Sequence, residues 1–253
     1  MTRFLVSLLA LLAVLYLGGC VALFVFQRDL IYFPQPRSGP PAALLELPGS
    51  EADVLVSVRP HAGPNALIYF GGNAEDVSLN LPGFSEAFPE HAIYLLHYRG
   101  YGGSTGQASE EAIRRDALAL FDRVQVEHPH AVVVGRSLGS GVAVYLASQR
   151  PAARLVLITP YDSLQEIAAG QFPYFPVKWL LQDKYESWKY APRIRVPTLL
   201  IAAEHDELIP RASSERLYRH FAKGVASLEV IPGTGHNTIS QSPHYLELLR
   251  AAL

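Results

Sequence analysis

Cysteine is nearly absent: Cys20 is the only one in 253 residues. A lone thiol excludes an intramolecular disulfide framework and any cysteine-rich zinc site. Charge is scarce as well, with Asp, Glu, Lys and Arg at 17% against roughly 25% in ordinary soluble domains. The 21 basic and 23 acidic side chains leave a net charge of −2. No surplus of cations exists to neutralise phosphates, so nucleic acid is not an expected partner. A hydrophobic content of 49% is ordinary for a globular chain, and the deficit of charge excludes a disordered one. The 19 glycines and 19 prolines are scattered, with neither a collagen-like period nor a linker-like block. There is no metal-ligand spacing of His and carboxylates, no P-loop and no dinucleotide fingerprint. Neither a metal nor a cofactor is expected.

The shortage of charge has a local origin. Phe4 to Phe26 is a run of 23 residues without one charged side chain, FLVSLLALLAVLYLGGCVALFVF. As a helix it would span roughly 34 Å, enough for a hydrocarbon core of ~30 Å. Residues 1–26 therefore read as an uncleaved N-terminal membrane anchor. A lipoprotein is the second reading, because Leu17-Gly18-Gly19-Cys20 resembles a lipoprotein cleavage box; apolar Val21 to Phe26 argues against it. Arg3 and the amino terminus flank one side, and Arg28, Asp29 and Arg37 the other, so the count of Lys and Arg favours neither orientation. The short N-terminal tail favours a catalytic domain outside the cytoplasm, periplasmic in a bacterium. Residues 27–52 read as a Pro-rich connection (FPQPRSGPP), extended on the surface or packed beside the membrane.

Residues 53–253 alternate strand and helix signals, which is enough for one domain. Strand-like runs occupy Asp53–Val58, Ala66–Phe70, His91–Tyr98, Ala131–Val134, Arg154–Thr159, Thr198–Ala203 and Ser227–Ile231. Helices fit Ser109 (as N-cap) to about Val126, the segment after Gly139 to about Gln149, Arg211–Phe221 and Ser240–Leu253. Continuous β-branched runs separated by helices imply a mostly parallel sheet covered on both faces. Ligands of such sheets sit at the carboxyl ends of the strands.

Residues just after the strands are chemically suggestive. AVVV is followed by Gly135-Arg136-Ser137-Leu138-Gly139, a G-x-S-x-G pentapeptide in the strand–turn–helix setting that gives it meaning. A bland Gly/Ser-rich turn is the competing reading. A serine hydroxyl needs a base, and the base a third group to hold it, in the chain order Ser, acid, His. After PTLLIAA comes Glu204-His205-Asp206-Glu207, and after the last strand Pro232-Gly233-Thr234-Gly235-His236. Asp206 and His236 thus fall in strand-end loops in the required order. Asp162, after the strand RLVLIT, is a rival acid or else a helix N-cap. Of the other histidines, His128, His130, His220 and His244 are expected to face solvent beside helices. His61 and His91 precede strands, His205 adjoins the acid and His97 ends a strand. Gly71-Gly72-Asn73-Ala74 follows ALIYF, where a backbone N–H aimed at a developing oxyanion is needed; a plain tight turn is the alternative.

Between RLVLIT and PTLLIAA, residues 161–196 interrupt the strand–helix rhythm and are expected to form a cap over Ser137. The segment is aromatic. Phe172, Tyr174, Phe175 and Trp179 are candidates to line an apolar groove, and Asp183, Lys184, Glu186 and Lys189 to form a wet outer face.

Together, GRSLGSG, YRGYGGSTG, GGNAED, the HDELIP loop and PGTGHN resemble the serine α/β-hydrolase superfamily. Within it the chain is similar to the branch of small membrane-anchored hydrolases with a YRGYG-x-S-x-G loop, and QRDLIYFP after the anchor adds to the likeness. The resemblance covers nearly the whole chain. It implies an α/β-hydrolase fold with a short helical cap, Ser137 as nucleophile, Asp206 as acid and His236 as base, and oxyanion donors from the Asn73 and Leu138 backbones. Gly71 stands where relatives usually have His, and His97 where they often have Asp. Epoxide hydrolases and haloalkane dehalogenases need Asp in place of Ser137. The implied activity is cleavage of an ester or thioester of a small molecule or lipid acyl group by a monomer, through an acyl-enzyme. An aminopeptidase-like amide hydrolase and a noncatalytic membrane-tethered scaffold are the alternatives.

Overall fold

The computed structural model describes residues 2–47 and 51–253. The amino terminus invoked as a flanking charge and residues 48–50 of the expected connection lie outside the described residues.

The uncharged run forms helix α1 (Thr2–Ile31), whose surface is exposed almost throughout. Among the described residues it is the one helix long and apolar enough to cross a membrane, with an 18-residue stretch of mean hydropathy 2.7. Cys20 lies inside this unbroken helix. The helix also continues past Phe26 into the expected connection, because Gln27 and Ile31 are buried against the rest of the molecule. Farther along that connection, Ala43–Glu46 forms a strand, β1, on the edge of the sheet. Four residues with no clear alternation offer no sequence signal for it.

Seven more strands complete the sheet: β2 (Leu55–Arg59), β3 (Asn65–Phe70), β4 (Ala92–Leu96), β5 (His130–Arg136), β6 (Arg154–Ile158), β7 (Thr198–Ala203) and β8 (Ala226–Ile231). Their order is β1-β2-β4-β3-β5-β6-β7-β8. Only β1–β2 and β2–β4 pair antiparallel; the other pairs are parallel. Successive side chains of a strand point to opposite faces, and here both faces are dry. Ile68, Phe70 and Val133 join one core cluster, with Ile113, Phe121 and Leu146 from helices α3 (Glu110–Val124) and α4 (Leu138–Gln149). Leu67, Tyr69 and Val134 join the other, with Phe84 of α2 (Leu81–Ala87) and Leu249 of α8 (Pro243–Ala252). Ser109 caps α3, its Oγ accepting from the Ala112 N–H at 3.2 Å.

Residues 161–196 form a small cap of α5 (Leu164–Gln171), α6 (Val177–Leu180) and two single-turn 3-10 segments; α7 (Arg211–His220) follows β7. Asp183, expected on the wet outer face, is instead buried, where its carboxylate accepts from Arg28 Nε and the Tyr32 hydroxyl, each at 3.1 Å. Burying a carboxylate demands partners, and the end of α1 supplies them.

The YRGYG segment is a brace. Arg99 makes a two-pronged contact with buried Asp116 of α3, 2.9 Å on each prong. The Tyr98 hydroxyl donates to the Gly71 carbonyl at 2.8 Å, and Tyr101 to that of Asn73 at 2.6 Å. Gly102 has φ 60°, and a Cβ there would stand 2.0 Å from His97 Nδ1; glycine is the residue that meets both demands.

His97 is sealed beneath that glycine, with Nε2 2.8 Å from Ser57 Oγ. Burial pushes its pKa down to about 4 from 6.5. Above pH 7 the ring is neutral whether folded or not and adds no pH dependence. Below 6.5 the unfolded chain takes up a proton that the fold refuses, so stability falls until about pH 4. Between pH 7 and pH 4 the wild type should therefore lose about 3 kcal/mol more than His97→Gln. Urea unfolding of both proteins in detergent checks this, and equal pH slopes would contradict it.

Candidate active site

Ser137 joins β5 to α4 with φ 50° and ψ −118°. For a residue with a Cβ this conformation costs of order 1–3 kcal/mol and survives only where the surroundings impose it. They do so by close approach. A Cβ on Gly139 would meet the Phe70 carbonyl oxygen at 2.0 Å, so only glycine lets α4 start against the end of β3. The turn is pinned by the Ser137 N–H, which donates to the Ile158 carbonyl of β6 at 2.8 Å.

His236, in the loop after β8, places Nε2 3.0 Å from Ser137 Oγ. Its Nδ1 lies 2.9 Å from Asp206 Oδ2 and 3.0 Å from Oδ1. The Asp206 carboxylate, in the loop after β7, also accepts backbone N–H groups of Leu208 at 3.0 Å and Ile209 at 2.7 Å. Its orientation is therefore set by the loop itself. Neighbouring Glu207 accepts the His236 N–H at 3.0 Å, and that hydrogen bond holds its carboxyl below the usual carboxylate range. Asp162 stands elsewhere: it accepts from Ser213 Oγ and, at 2.6 Å, from Arg216 Nε, both on α7. Of the two acids weighed from the sequence, Asp206 is the one brought to His236.

Asn73, Ser137 and Leu138 line one cavity. The first-turn amide of a helix has no partner within the helix, and Leu138 opens α4. The loop carrying Asn73 is held from three sides. Its carbonyl accepts from Phe33 N–H and the Tyr101 hydroxyl, and its side-chain amide donates to the Ile31 carbonyl at 2.9 Å.

Two residues to which the sequence assigned no role complete this support. Glu75 Oε2 accepts the Gly72 N–H at 2.7 Å and Arg136 Nη1 at 3.2 Å, and Arg136 Nη2 reaches the His236 carbonyl at 3.4 Å. One half-buried ion pair thus ties the loop after β3 to the loop after β8. Both residues sit inside quoted motifs, GGNAED and GRSLG, but their pairing spans the fold. His128, expected in solvent, is buried, with Nδ1 2.7 Å from the Gly63 carbonyl and Nε2 3.1 Å from the Tyr94 hydroxyl.

The cavity holds about 210 Å³. Of the four cap rings expected to line it, only Phe172 does. Phe175 stacks on Tyr16 of α1 with ring centroids 5.6 Å apart, while Tyr174 and Trp179 are exposed. A cap this short has an outside close to its inside, and aromatic content does not say which side a ring takes. The apolar lining comes instead from Leu164, Ile167, Val177 and Leu181 of the cap, Leu208 and Ile209 beside Asp206, and Leu23, Leu30 and Ile31 of α1. Among the described residues no charged side chain lines it.

Comparison with known proteins agrees with this architecture. Residues 65–181 match the family described as alpha/beta hydrolase fold, and residues 180–242 the family described as serine aminopeptidase, S33. An uncharacterized protein of Mycobacterium tuberculosis is 36% identical over 251 residues, covering 90% of this chain and 86% of its own. The alpha/beta hydrolase domain-containing protein aho-3 of Caenorhabditis elegans is 32% identical over 192 residues, covering 73% of this chain and 56% of its own. In fold, an esterase of Pyrococcus furiosus superposes with a TM-score of 0.68 at 17% identity, over 88% of this chain and 96% of that one. The chain belongs to the α/β-hydrolase superfamily, and its chemistry is hydrolysis.

Proposed function

We propose that the chain is a serine hydrolase that cleaves an acyl ester or thioester through an acyl-enzyme. The observation that carries this reading is the continuous hydrogen-bonded chain from Asp206 through His236 to Ser137, ending in a charge-free apolar cavity. In the proposed cycle His236 Nε2 takes the Ser137 proton as Oγ bonds to the substrate carbonyl carbon. The negative charge gathering on the carbonyl oxygen is met by the Asn73 and Leu138 N–H groups. The C–O or C–S bond breaks, and the leaving group departs with the proton from His236. Water, deprotonated by the same nitrogen, then releases the acid and restores Ser137.

The serine aminopeptidase match favours a second reading, amide cleavage next to a free amino group. Such a substrate carries an ammonium charge, and among the described residues no carboxylate lines the cavity to receive it; an isolated buried ion is costly. The ester reading therefore fits better.

A p-nitrophenyl ester series from acetate to palmitate, on the full chain in detergent, tests it. Each methylene received by the cavity can add up to ~0.8 kcal/mol, so kcat/KM should rise with chain length before levelling. Decline from acetate onward would remove support for an acyl-binding cavity. No turnover of any ester, together with no covalent labelling by a fluorophosphonate, would overturn the serine-hydrolase reading.

A further inference from the structure

The end of α1 is part of the site. Leu23, Gln27, Leu30 and Ile31 line the same cavity as Ser137. The helix end is also locked to both sides of that cavity. Gln27 Nε2 donates to the Leu180 carbonyl of the cap at 3.1 Å, and its Oε1 accepts the Gln182 N–H at 2.7 Å. On the other side the Ile31 carbonyl accepts from Asn73 Nδ2.

Depth follows from helix arithmetic. A hydrocarbon core of ~30 Å takes about 20 helical residues. Charged Arg3 belongs at the far interface, so the count starts at Phe4 and ends near Leu23, a residue of the cavity wall. The tip of the cap meets α1 before that boundary. The Tyr16 hydroxyl donates to the Tyr174 carbonyl at 3.0 Å, and Phe175 packs on Tyr16 and Gly19. At 1.5 Å per residue, Tyr16 lies ~10 Å inside the boundary. On this tip Tyr174 is 84% exposed and Trp179 87%. Large rings left bare in water are poorly placed, whereas Trp and Tyr are at home where headgroups meet acyl chains.

Resting on the serine-hydrolase reading, we propose that the cap tip is immersed in one leaflet and the cavity opens into it along α1. The substrate is then a membrane-resident acyl ester whose chain enters sideways from the lipid, with the anchor helix as one wall of the channel. Lipid has the chemistry to cover this face: the exposed apolar surface of α1 meets the cap tip at Tyr16, Tyr174 and Phe175, exposed Lys178 is long enough to reach the headgroups, and among the described residues the cavity lining carries no charge to repel an acyl chain.

The full chain in phosphatidylcholine vesicles tests both parts. The protein has two tryptophans, Trp179 and Trp188, so Trp188→Phe leaves Trp179 as the sole emitter. Brominating the lipid acyl chains should remove most of its fluorescence, while aqueous iodide should have little effect. Quenching by iodide and not by bromolipid overturns the immersion. For the channel, Leu30→Trp should lower the ratio of p-nitrophenyl laurate to acetate turnover by about tenfold, the worth of one or two buried methylenes. Leu23→Ala, which cannot overfill the site, should shift the preferred chain length upward. An unchanged chain-length profile in both variants overturns the role of α1 as a wall. Failure of the wild type to hydrolyse either ester would count against the serine-hydrolase reading instead, and the quenching result would still decide where the cap lies.

Discussion

Ser137→Ala is expected to lower turnover of an acyl ester by about 10⁵-fold while barely moving the melting temperature. The large loss follows from the proposed mechanism: without Oγ no acyl-enzyme could form, and only the proposed oxyanion donors and the cavity would remain to assist water. The small thermal effect follows from what the hydroxyl touches. Its hydrogen-bond partner is His236 Nε2, and leaving that nitrogen unpaired costs about 1 kcal/mol. In a domain of this size that amounts to roughly 2–4 °C. The strained turn stays as it is, because alanine and serine both carry a Cβ at φ 50°. Initial rates with p-nitrophenyl butyrate, alongside a thermal melt in detergent, provide both numbers. Residual turnover near wild type would remove Ser137 from the mechanism, and a collapsed melt would mean that the activity loss reports misfolding.

Asp206→Asn and Asp162→Asn should fail in opposite ways. Asp206 holds His236 through Nδ1, which in the proposed cycle leaves Nε2 free to accept the Ser137 proton. An asparagine amide turned to donate at that point favours the wrong tautomer, so kcat should fall about 10⁴-fold with little loss of stability. Asp162 lies in the contact of the cap's first turn with α7, where Ser213 and Arg216 hold it. Its replacement should leave kcat within a few-fold and lower stability by about 1–2 kcal/mol, a figure kept small because the Arg216 side chain is 44% exposed and screened by water. Paired kinetics and urea unfolding of the two variants separate the roles. If Asp162→Asn costs more turnover than Asp206→Asn, the acids have been assigned in reverse.

What the sequence determined by itself was carried by short-range pattern. The apolar run of α1, the β-branched runs of β3, β5, β6 and β7, and the Ser109 cap are properties of neighbouring residues, and their places in the chain match the elements closely. The pentapeptide around Ser137 was legible for the same reason: a strained turn between a strand and a helix needs small residues a fixed distance away. Even here the signal stopped at the element's own edge. The helix ran on to Ile31 because Gln27 and Ile31 found a surface to bury against, and β1 formed because β2 lay beside it.

Everything that depended on residues far apart in the chain was left to the tertiary structure. Asp162 and Asp206 both follow strands, and only the packing of α7 decided that one meets Arg216 and the other His236. The cap's aromatic content was visible, but which rings face inward depends on where α1 runs, so Phe172 lines the cavity while Phe175 packs on the anchor. Asp183 has the composition of a surface residue and is buried because Arg28 and Tyr32 reach it from more than a hundred positions away. The Glu75–Arg136 tie is of the same kind. Local backbone preference is written in adjacent residues, whereas burial and ion pairing are properties of surfaces that exist only once the chain has closed on itself.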